Sequence, residues 1–417
     1  MIQKYLKDYA VFWENSEPKF PFIARKFSLT EKQKREKILD QYIKSVRAVR
    51  NGKLDRKKFT EKEEQFFFAN TRSFLRDGLD FTEAQLQVMF SNELKEVTRH
   101  FVRQARRFDS KLTFHDIFQA CRNMWIMNGL QIVLGIPVRL TPSIFAYSLL
   151  YPYTDNLIDN PEISALDKLI FSNNFYLRLD GQNPEPNNGA EHTIFNLVSM
   201  IEDEFPRLAY PEVYQSLLSI HEAQTQSMQL IHSAGTLSER EILKICMAKG
   251  GASVLADGYL VAGRLSKDQE YFLFGYGAYL QLLDDIQDVD EDSNACLKTV
   301  FSNSIELLDI KLNKTYWFGE KVMQSLPLFG GRHIEVFQSL MRKSMDLFII
   351  EAIAQNPDCY SKKYIDEMET HSPFSFSYIQ KRKEQFAPYN GLLLTAIEEI
   401  ALNEYMNEKN SRIAAFK

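Results

Sequence analysis

Apolar residues follow a helical spacing along nearly the whole of this 417-residue chain, and that spacing leaves few fold classes open. They recur at three- and four-residue steps, the period of an amphipathic α-helix. Alternating β-branched runs bounded by turn residues, which indicate strands, are hard to find. Apolar residues make up 45% of the chain, enough for a large buried core. The pattern predicts an all-α protein.

Charge and cysteine content limit the classes of partner. A net charge of -5 provides no basic field that would attract nucleic acid. The four cysteines are scattered and form no Cys-x-x-Cys pair, as expected for reduced thiols. The N-terminal segment lacks the apolar core of a signal peptide, and no stretch reaches the ~18 apolar residues of a membrane span. We predict a cytoplasmic protein, and leave peripheral membrane contact and oligomerisation open.

The charge pattern predicts two regions. Residues 1–108 are rich in Lys, Arg and Glu, which is typical of solvated helices that flank a main body. From Leu112 onward the chain is more apolar, and turn and capping residues mark the helix boundaries more clearly. We therefore predict an N-terminal charged helical extension over residues 1–108 and a catalytic helical domain over residues 109–417.

Two helix starts can be read from capping residues. Thr141 followed by Pro142 predicts a start, because threonine caps helices and proline suits the first helical position. Ser238 or Thr236 is the candidate cap of a later helix, whose beginning Glu241 favours.

The most informative run is FGYGAYLQLLDDIQDVDED, an apolar and aromatic helix that ends in acidic residues. At about 100° per residue, Gly277, Gln281, Asp284 and Asp288 lie on one face, with Asp285 at its margin. Acids at a helix C-terminus oppose the helix dipole, by roughly 0.3 to 1 kcal/mol per charge when exposed. A positive partner, such as a hard divalent cation, is therefore expected. The alternative is an acidic helix end that faces water.

A second acidic pair occurs in YSLLYPYTDNLIDNPEIS, where Asp155 and Asp159 are four residues apart and share one helix face. Like charges at that spacing repel, so a buried pair requires a cation, whereas an exposed pair does not. Pro152 removes a helical hydrogen bond one turn earlier, so the helix could kink or begin late. The chain between the two acidic runs can form several helices, which could bring the runs face to face across a bundle.

Two such runs, the second reading Gly-x-x-x-Gln-x-x-Asp-Asp-x-x-Asp, resemble the class I isoprenoid synthase superfamily. DNLID followed by PEISALDKLIF, and LLDDIQDVDED followed by a Lys-Thr-Val-Phe segment, look like bacterial large terpene synthases of the tetraprenyl-β-curcumene synthase type. The resemblance covers roughly residues 110–390. It implies a class I terpenoid-synthase-like helical bundle with a central active-site cavity.

The resemblance also implies the metal ligands. Asp155 and Asp159 match the first metal-binding motif, Asp284 and Asp288 match the second, and Asp285 is an additional ligand. It further implies Mg²⁺ as the cofactor, with three ions when diphosphate is bound. Cations that bridge a diphosphate neutralise its charge as the carbon–oxygen bond breaks.

The diphosphate-binding residues are predicted more weakly. Lys249, before a double glycine, resembles the family's lysine near a break in a helix, and two glycines cost a helix about 2 kcal/mol and mark kinks. Arg178 could add a bidentate donor. Tyr378, with Lys381 and Arg382, resembles the basic aromatic segment that closes over the diphosphate in many terpene synthases. Each of these cations could equally lie on a solvated surface.

The predicted reaction is ionisation of an allylic prenyl diphosphate to a cyclic or linear terpene, with release of diphosphate. The first motif begins Asp-Asn and no Arg-Arg pair follows it, which disfavours chain elongation. The alternatives are head-to-head condensation of the squalene or phytoene type, a polyprenyl diphosphate synthase, and a non-catalytic helical scaffold with acidic surface patches. No nucleophile elbow, phosphate loop or dinucleotide fingerprint favours another enzyme class.

Overall fold

The described part of the chain is helical without any strand, which confirms the prediction of an all-α protein. The computed structural model describes residues 1–51, 61–158, 163–232, 237–304, 306–331 and 333–386. The helices are α1 Gln3–Glu14, α2 Leu29–Asn51, α3 Glu61–Leu79, α4 Glu83–Met89, α5 Asn92–Phe108, α6 Phe114–Val133, α7 Pro142–Ile158, α8 Ala165–Leu179, α9 Gly189–Glu204, α10 Pro211–Ser227, α11 Gln229–His232, α12 Glu239–Ala262, α13 Lys267–Gln287, α14 Val289–Asn294, α15 Asp309–Met323, α16 Ile334–Gln355, α17 Lys362–His371 and α18 Phe376–Phe386. Two 3₁₀ turns span Leu326–Phe329 and Pro357–Cys359. Within these ranges no helix has the length and apolar character needed to cross a bilayer.

The chain divides into two compact units, and their boundaries differ from the predicted boundary at residue 108. Unit 1 comprises Met1–Phe22, Asn123–Pro137 and Thr141–Tyr364. Unit 2 comprises Ile23–Arg122, Val138–Leu140 and the chain from Ile365. The first helix therefore belongs to the same unit as the acidic motifs, and the chain after residue 364 belongs to the other.

Helix α1 joins unit 1 through a stripe of aromatic side chains. Tyr5, Tyr9 and Trp13 recur at four-residue steps and are buried. The Tyr9 ring stacks on Tyr271 of α13 with the ring centroids 4.6 Å apart. The Trp13 indole N–H donates to the Thr315 hydroxyl at 2.9 Å. These contacts make α1 part of the core of unit 1, whereas the sequence predicted a solvated helix there.

Both predicted helix starts are confirmed. The backbone N–H of Ile144 donates to the Thr141 hydroxyl at 3.3 Å, and α7 begins at the following proline. Ser238 caps α12 in a capping box with Glu241. The other candidate cap, Thr236, lies outside the described residues.

Helices α12 and α13 approach each other closely through glycine. A Cβ atom at Gly250 would lie 2.3 Å from the carbonyl oxygen of Gly277, and one at Gly277 would lie 2.2 Å from that of Gly250. Glycine alone permits this contact. Helix α12 continues through Gly250 and Gly251. The predicted helix break is therefore wrong, and the glycines serve close packing instead.

Unit 2 contains aromatic and ionic contacts of its own. Tyr42 of α2 stacks on Phe74 of α3 with centroids 4.8 Å apart. The Arg35 guanidinium donates to the Gly78 carbonyl at 2.6 Å and to the Asp80 carboxylate at 2.8 Å. Both contacts join α2 to α3 and the residues that follow it.

Candidate functional site

Helix α13 ends in the acidic run after a buried apolar stretch at residues 272–274. Asp288 terminates α13, and the backbone N–H of Asp292 donates to its carbonyl at 2.8 Å. The helical path thus continues into α14. Asp284, Asp288 and Asp292 therefore follow one another at four-residue steps on one side of that path.

Asp285 is the most buried carboxylate of this run, with 4% of its surface exposed. The Gln281 amide donates to its Oδ1 at 2.8 Å, and the Cys246 thiol of α12 lies beside it. Its Oδ2 has no hydrogen-bond partner among the described residues. Burial raises the pKa of Asp285 to about 6, although the hydrogen bonds from Gln281 and Cys246 act in the opposite direction. The sequence placed Asp285 at the margin of the acidic face, and the structure places it against α12.

Asp292 is a candidate that the sequence analysis did not select. Burial, and to a smaller extent the negative charges of Asp285, Asp288 and Asp284, raise the pKa of Asp292 to about 7. We call these four residues the acidic cluster. The signal for Asp292 is present in the sequence, because it repeats the four-residue step from Asp284 to Asp288.

Lys249 brings positive charge to the acidic cluster from the facing helix. It is half-buried on α12, next to the glycine crossing at Gly250 and Gly277. Its ammonium group lowers the pKa of both Asp285 and Asp292. The structure therefore brings Lys249 and the second predicted motif together in unit 1.

The first predicted metal motif lies only partly on the described chain. Asp155 belongs to α7, but its side chain is outside the described part, and Asp159 is outside it entirely. Helix α7 begins at Pro142 and includes Pro152, so the expectation of a late helix start is wrong. The pairing of the two acidic runs across a bundle stays a prediction.

Arg178 is engaged in a network between α8 and α9. Its guanidinium donates to Glu202 at 2.7 Å and to the Ser199 hydroxyl at 2.9 Å. Arg207 donates to the same Glu202 carboxylate at 2.7 Å. Burial alone would raise the pKa of Glu202, but its bonds to the two guanidinium groups lower it. Diphosphate binding by Arg178 would require this network to open.

Tyr378 and Arg382 lie together on α18 in unit 2. The Tyr378 hydroxyl donates to the Asp40 carboxylate at 2.5 Å, and Arg382 forms an ion pair with the same carboxylate. The Arg382 guanidinium is 5.1 Å from the centroid of the Tyr378 ring. Lys381 is exposed. The structure thus gives Tyr378 and Arg382 a partner on α2, within their own unit.

An apolar pocket lies among α7, α8 and α10 of unit 1 and encloses about 380 Å³, its open mouth included. Its lining is Tyr147, Leu150, Thr154, Phe175, Leu179, Leu217, Ile220, His221 and Gln224. Burial lowers the pKa of His221, so its imidazole is neutral at pH 7. Thr154 directly precedes Asp155 in the sequence of α7.

Comparisons with known proteins found no similar protein. No protein-family model, no curated protein and no solved structure matches this chain. Within the described ranges, no group of three or more His, Cys, Asp or Glu side chains is arranged to hold a metal ion. The functional argument therefore rests on the geometry of the acidic cluster and on the sequence resemblance.

Proposed function

We propose that this chain is a magnesium-dependent class I terpene synthase, which ionises an allylic prenyl diphosphate and releases diphosphate. The observation that carries the proposal is the acidic cluster. Burial, together with the negative charges of Asp285, Asp288 and Asp284, raises the pKa of Asp292 to about 7, and Asp285 keeps an oxygen without a described partner. Like charges held this close are costly unless a cation joins them.

The acidic cluster fits Mg²⁺ by its donor chemistry. All four side chains offer hard carboxylate oxygens, and the unpartnered Oδ2 of Asp285 is one of them. In enzymes that act on phosphates, Mg²⁺ takes one or two protein carboxylates and completes its shell with water and phosphate oxygens. When bound, the metal would neutralise the charge of the departing diphosphate.

The protein's own groups have three roles in this proposal. The acidic cluster would bind Mg²⁺ ions with one or two carboxylates to each ion, together with Asp155 and Asp159 of the first motif. Lys249 donates hydrogen bonds to the diphosphate from the facing helix. The buried apolar side chains of unit 1 exclude water, so that the allylic cation is not captured before it cyclises or loses a proton.

Binding tests the proposal without turnover. We expect calorimetry to show that unreactive thiolo analogues of farnesyl and geranylgeranyl diphosphate bind only when Mg²⁺ is present. Asp288→Asn should weaken that binding by roughly 10- to 100-fold. Asp268→Asn is the matched control, because Asp268 is exposed at the other end of α13. Absence of metal-dependent binding by folded protein would contradict the proposal.

Product analysis then separates the reaction types. Mass spectrometry after incubation with geranyl, farnesyl, geranylgeranyl and geranylfarnesyl diphosphate should show a hydrocarbon or alcohol formed from a single substrate molecule. A longer diphosphate would indicate chain elongation, and a product of doubled carbon number would indicate head-to-head condensation. Binding to Mg²⁺ without any product would favour a non-catalytic scaffold.

A further inference from the structure

Helix α8 of unit 1 has two apolar faces, and only the inward one is buried. Phe171, Phe175 and Leu179 are buried on the inward face, and the last two line the apolar pocket. On the outward face, Leu166 and Leu169 are 64% and 67% exposed. A helix with apolar residues on opposite sides is ordinarily buried on both sides. The outward face of α8 is therefore expected to have a partner.

The exposed residues of the outward face form one stripe. At about 100° per residue, Leu166, Leu169, Ile170, Asn173 and Tyr176 fall within about 120° of one another. All five side chains are exposed. The charged residues of α8 lie outside this arc. The outward stripe thus consists of four large apolar side chains and one amide, without any charge.

The outward stripe differs from the rest of the described surface. Each of the other described helices exposes at most one large apolar side chain, as α1 exposes Val11 and α3 exposes Phe66. Single exposed apolar residues are normal on a protein surface, whereas an exposed contiguous apolar patch marks an interaction site. The outward stripe is therefore the strongest candidate for an interaction surface on the described part of the chain.

The charge around α8 argues against a lipid surface as the partner. Residues 159–185 contain five acids and only two bases. One of these bases, Arg178, is buried and forms an ion pair with Glu202. Helices that lie on membranes are rich in Lys and Arg on their polar face, because anionic headgroups attract these residues. Helix α8 offers no such basic cluster, and its net negative surroundings would be repelled by an anionic bilayer.

A second copy of this chain offers a surface that matches the outward stripe. In a two-fold dimer the same patch meets itself, and no like charges meet here because the stripe has none. Asn173 lies in the middle of the stripe. Its amide both donates and accepts hydrogen bonds, so two Asn173 side chains can pair with each other across a two-fold axis. A polar pair within an apolar helix interface fixes the register of the two helices.

We propose that the outward stripe is the interface of a homodimer, in which α8 of one copy packs antiparallel against α8 of the other. The two-fold axis passes beside Asn173, so Ile170 of each copy contacts Tyr176 of the other. Removal of the exposed apolar side chains from water drives the association. The dimer goes beyond the proposed function and does not depend on it. It also supports α8 from both sides, which stabilises the pocket wall formed by Phe175 and Leu179.

Sedimentation velocity of the full chain between about 1 and 100 µM tests the interface. We expect a dimer whose fraction rises with concentration. Leu169→Glu places a charge in the apolar contact and should weaken dimerisation by about a hundredfold or more. Far-UV circular dichroism should be unchanged, because Leu169 is exposed within one copy. Leu208→Glu is the matched control, since Leu208 is 101% exposed elsewhere in unit 1, and it should dimerise like the unmodified protein.

An exchange of charge at Asn173 tests whether the partner is a second copy. Asn173→Glu alone and Asn173→Lys alone should each be monomeric, because like charges then meet at the two-fold axis. An equimolar mixture of the two variants should dimerise, because a carboxylate then faces an ammonium group. A mixture that stays monomeric would contradict the pairing at Asn173.

The remaining outcomes decide between the possible partners. A chain that is monomeric up to about 100 µM, or a dimer that Leu169→Glu leaves intact, would overturn the proposed interface. Flotation with vesicles of phosphatidylcholine and phosphatidylserine tests the lipid alternative, and we expect no binding. Vesicle binding that Leu169→Glu abolishes and Leu208→Glu retains would assign the outward stripe to a lipid surface and contradict the dimer.

Discussion

Each end of α13 contains a buried acid, and the two acids differ in their hydrogen bonding and in the direction of their pKa shift. Near the N-terminal end, Glu270 accepts hydrogen bonds from Lys267, Tyr5 and Tyr259. Burial alone would raise the pKa of Glu270, but these bonds lower it. Near the C-terminal end, burial raises the pKa of Asp285 to about 6, and one of its oxygens has no described partner.

The helix dipole sharpens this contrast. A negative charge is favoured at the N-terminal end of a helix and disfavoured at the C-terminal end. Glu270 therefore occupies a position where charge stabilises the fold and joins α1 to α13. Asp285 and the rest of the acidic cluster occupy a position where charge destabilises the metal-free fold. The difference agrees with the proposal that the N-terminal end of α13 stabilises the fold and that the C-terminal end binds a cation.

The largest expected effect is on turnover. Asp284→Asn should lower kcat by roughly 10²- to 10³-fold, because it removes a group that acts on charge developing in the transition state. Asp284 is exposed, so circular dichroism and the thermal midpoint should stay close to those of the unmodified protein. Turnover that survives in Asp284→Asn and in Asp288→Asn would remove the acidic cluster from the reaction.

At the N-terminal end of α13, substitution of the buried acid should lower the stability of the fold. Glu270→Ala leaves the Tyr5 and Tyr259 hydroxyls without their acceptor and creates a cavity, so the free energy of unfolding should fall by roughly 3 to 4 kcal/mol. Urea denaturation measures the change. Asp268→Ala, an exposed acid on the same helix, should alter the free energy of unfolding by no more than about 0.5 kcal/mol. An equal loss of unfolding free energy in Glu270→Ala and Asp268→Ala would contradict the stabilising role of Glu270.

The pH dependence of stability should follow Asp285. Its folded pKa of about 6 lies above the ordinary value of 3.8, so the folded protein binds this proton more tightly than the unfolded chain does. The resulting stabilisation is complete below about pH 4 and is lost as pH rises through about 6, a change of up to about 3 kcal/mol. In Asp285→Asn, urea denaturation of metal-free protein should show a smaller decline through pH 6, while the decline that Asp292 causes through about pH 7 should remain. Parallel pH profiles for the two proteins would show that Asp285 is not the group responsible.

The glycine crossing between the two ends should give a smaller effect. Gly250→Ala places a Cβ against the Gly277 carbonyl, so the free energy of unfolding should fall by about 2 kcal/mol. It should also weaken analogue binding, because Lys249 would move away from the acidic cluster. Gly189→Ala is the control, since a Cβ there meets no atom within 4 Å. If Gly250→Ala changes neither the free energy of unfolding nor analogue binding, the close contact between α12 and α13 is not required for either.

Local patterns predicted the parts of the fold that depend on neighbours in sequence. The helical spacing of apolar residues predicted the all-α class. The Thr141 and Ser238 caps could be predicted because each side chain accepts a hydrogen bond from a backbone N–H only three residues later. The acidic run of α13 was equally visible, because its members are consecutive along one helix.

The remaining features depend on contacts between distant parts of the chain. The burial of α1 results from Tyr9 and Trp13 meeting α13 and α15, and a charge pattern does not encode that. Arg178 was proposed for diphosphate because guanidinium suits phosphate, yet the structure pairs it with Glu202. The glycine pair of α12 predicted a helix kink, because the sequence does not show that Gly277 of α13 lies opposite Gly250.

The most direct test of the central claim is release of inorganic diphosphate from geranyl, farnesyl, geranylgeranyl and geranylfarnesyl diphosphate, measured with Mg²⁺ and with the metal chelated. The account predicts release from at least one substrate with Mg²⁺, its loss on chelation and in Asp288→Asn, and its retention in Asp268→Asn. Folded protein that releases no diphosphate from any of the four substrates, or releases it equally well in Asp288→Asn, would contradict the assignment of the acidic cluster as the metal site of a prenyl diphosphate enzyme.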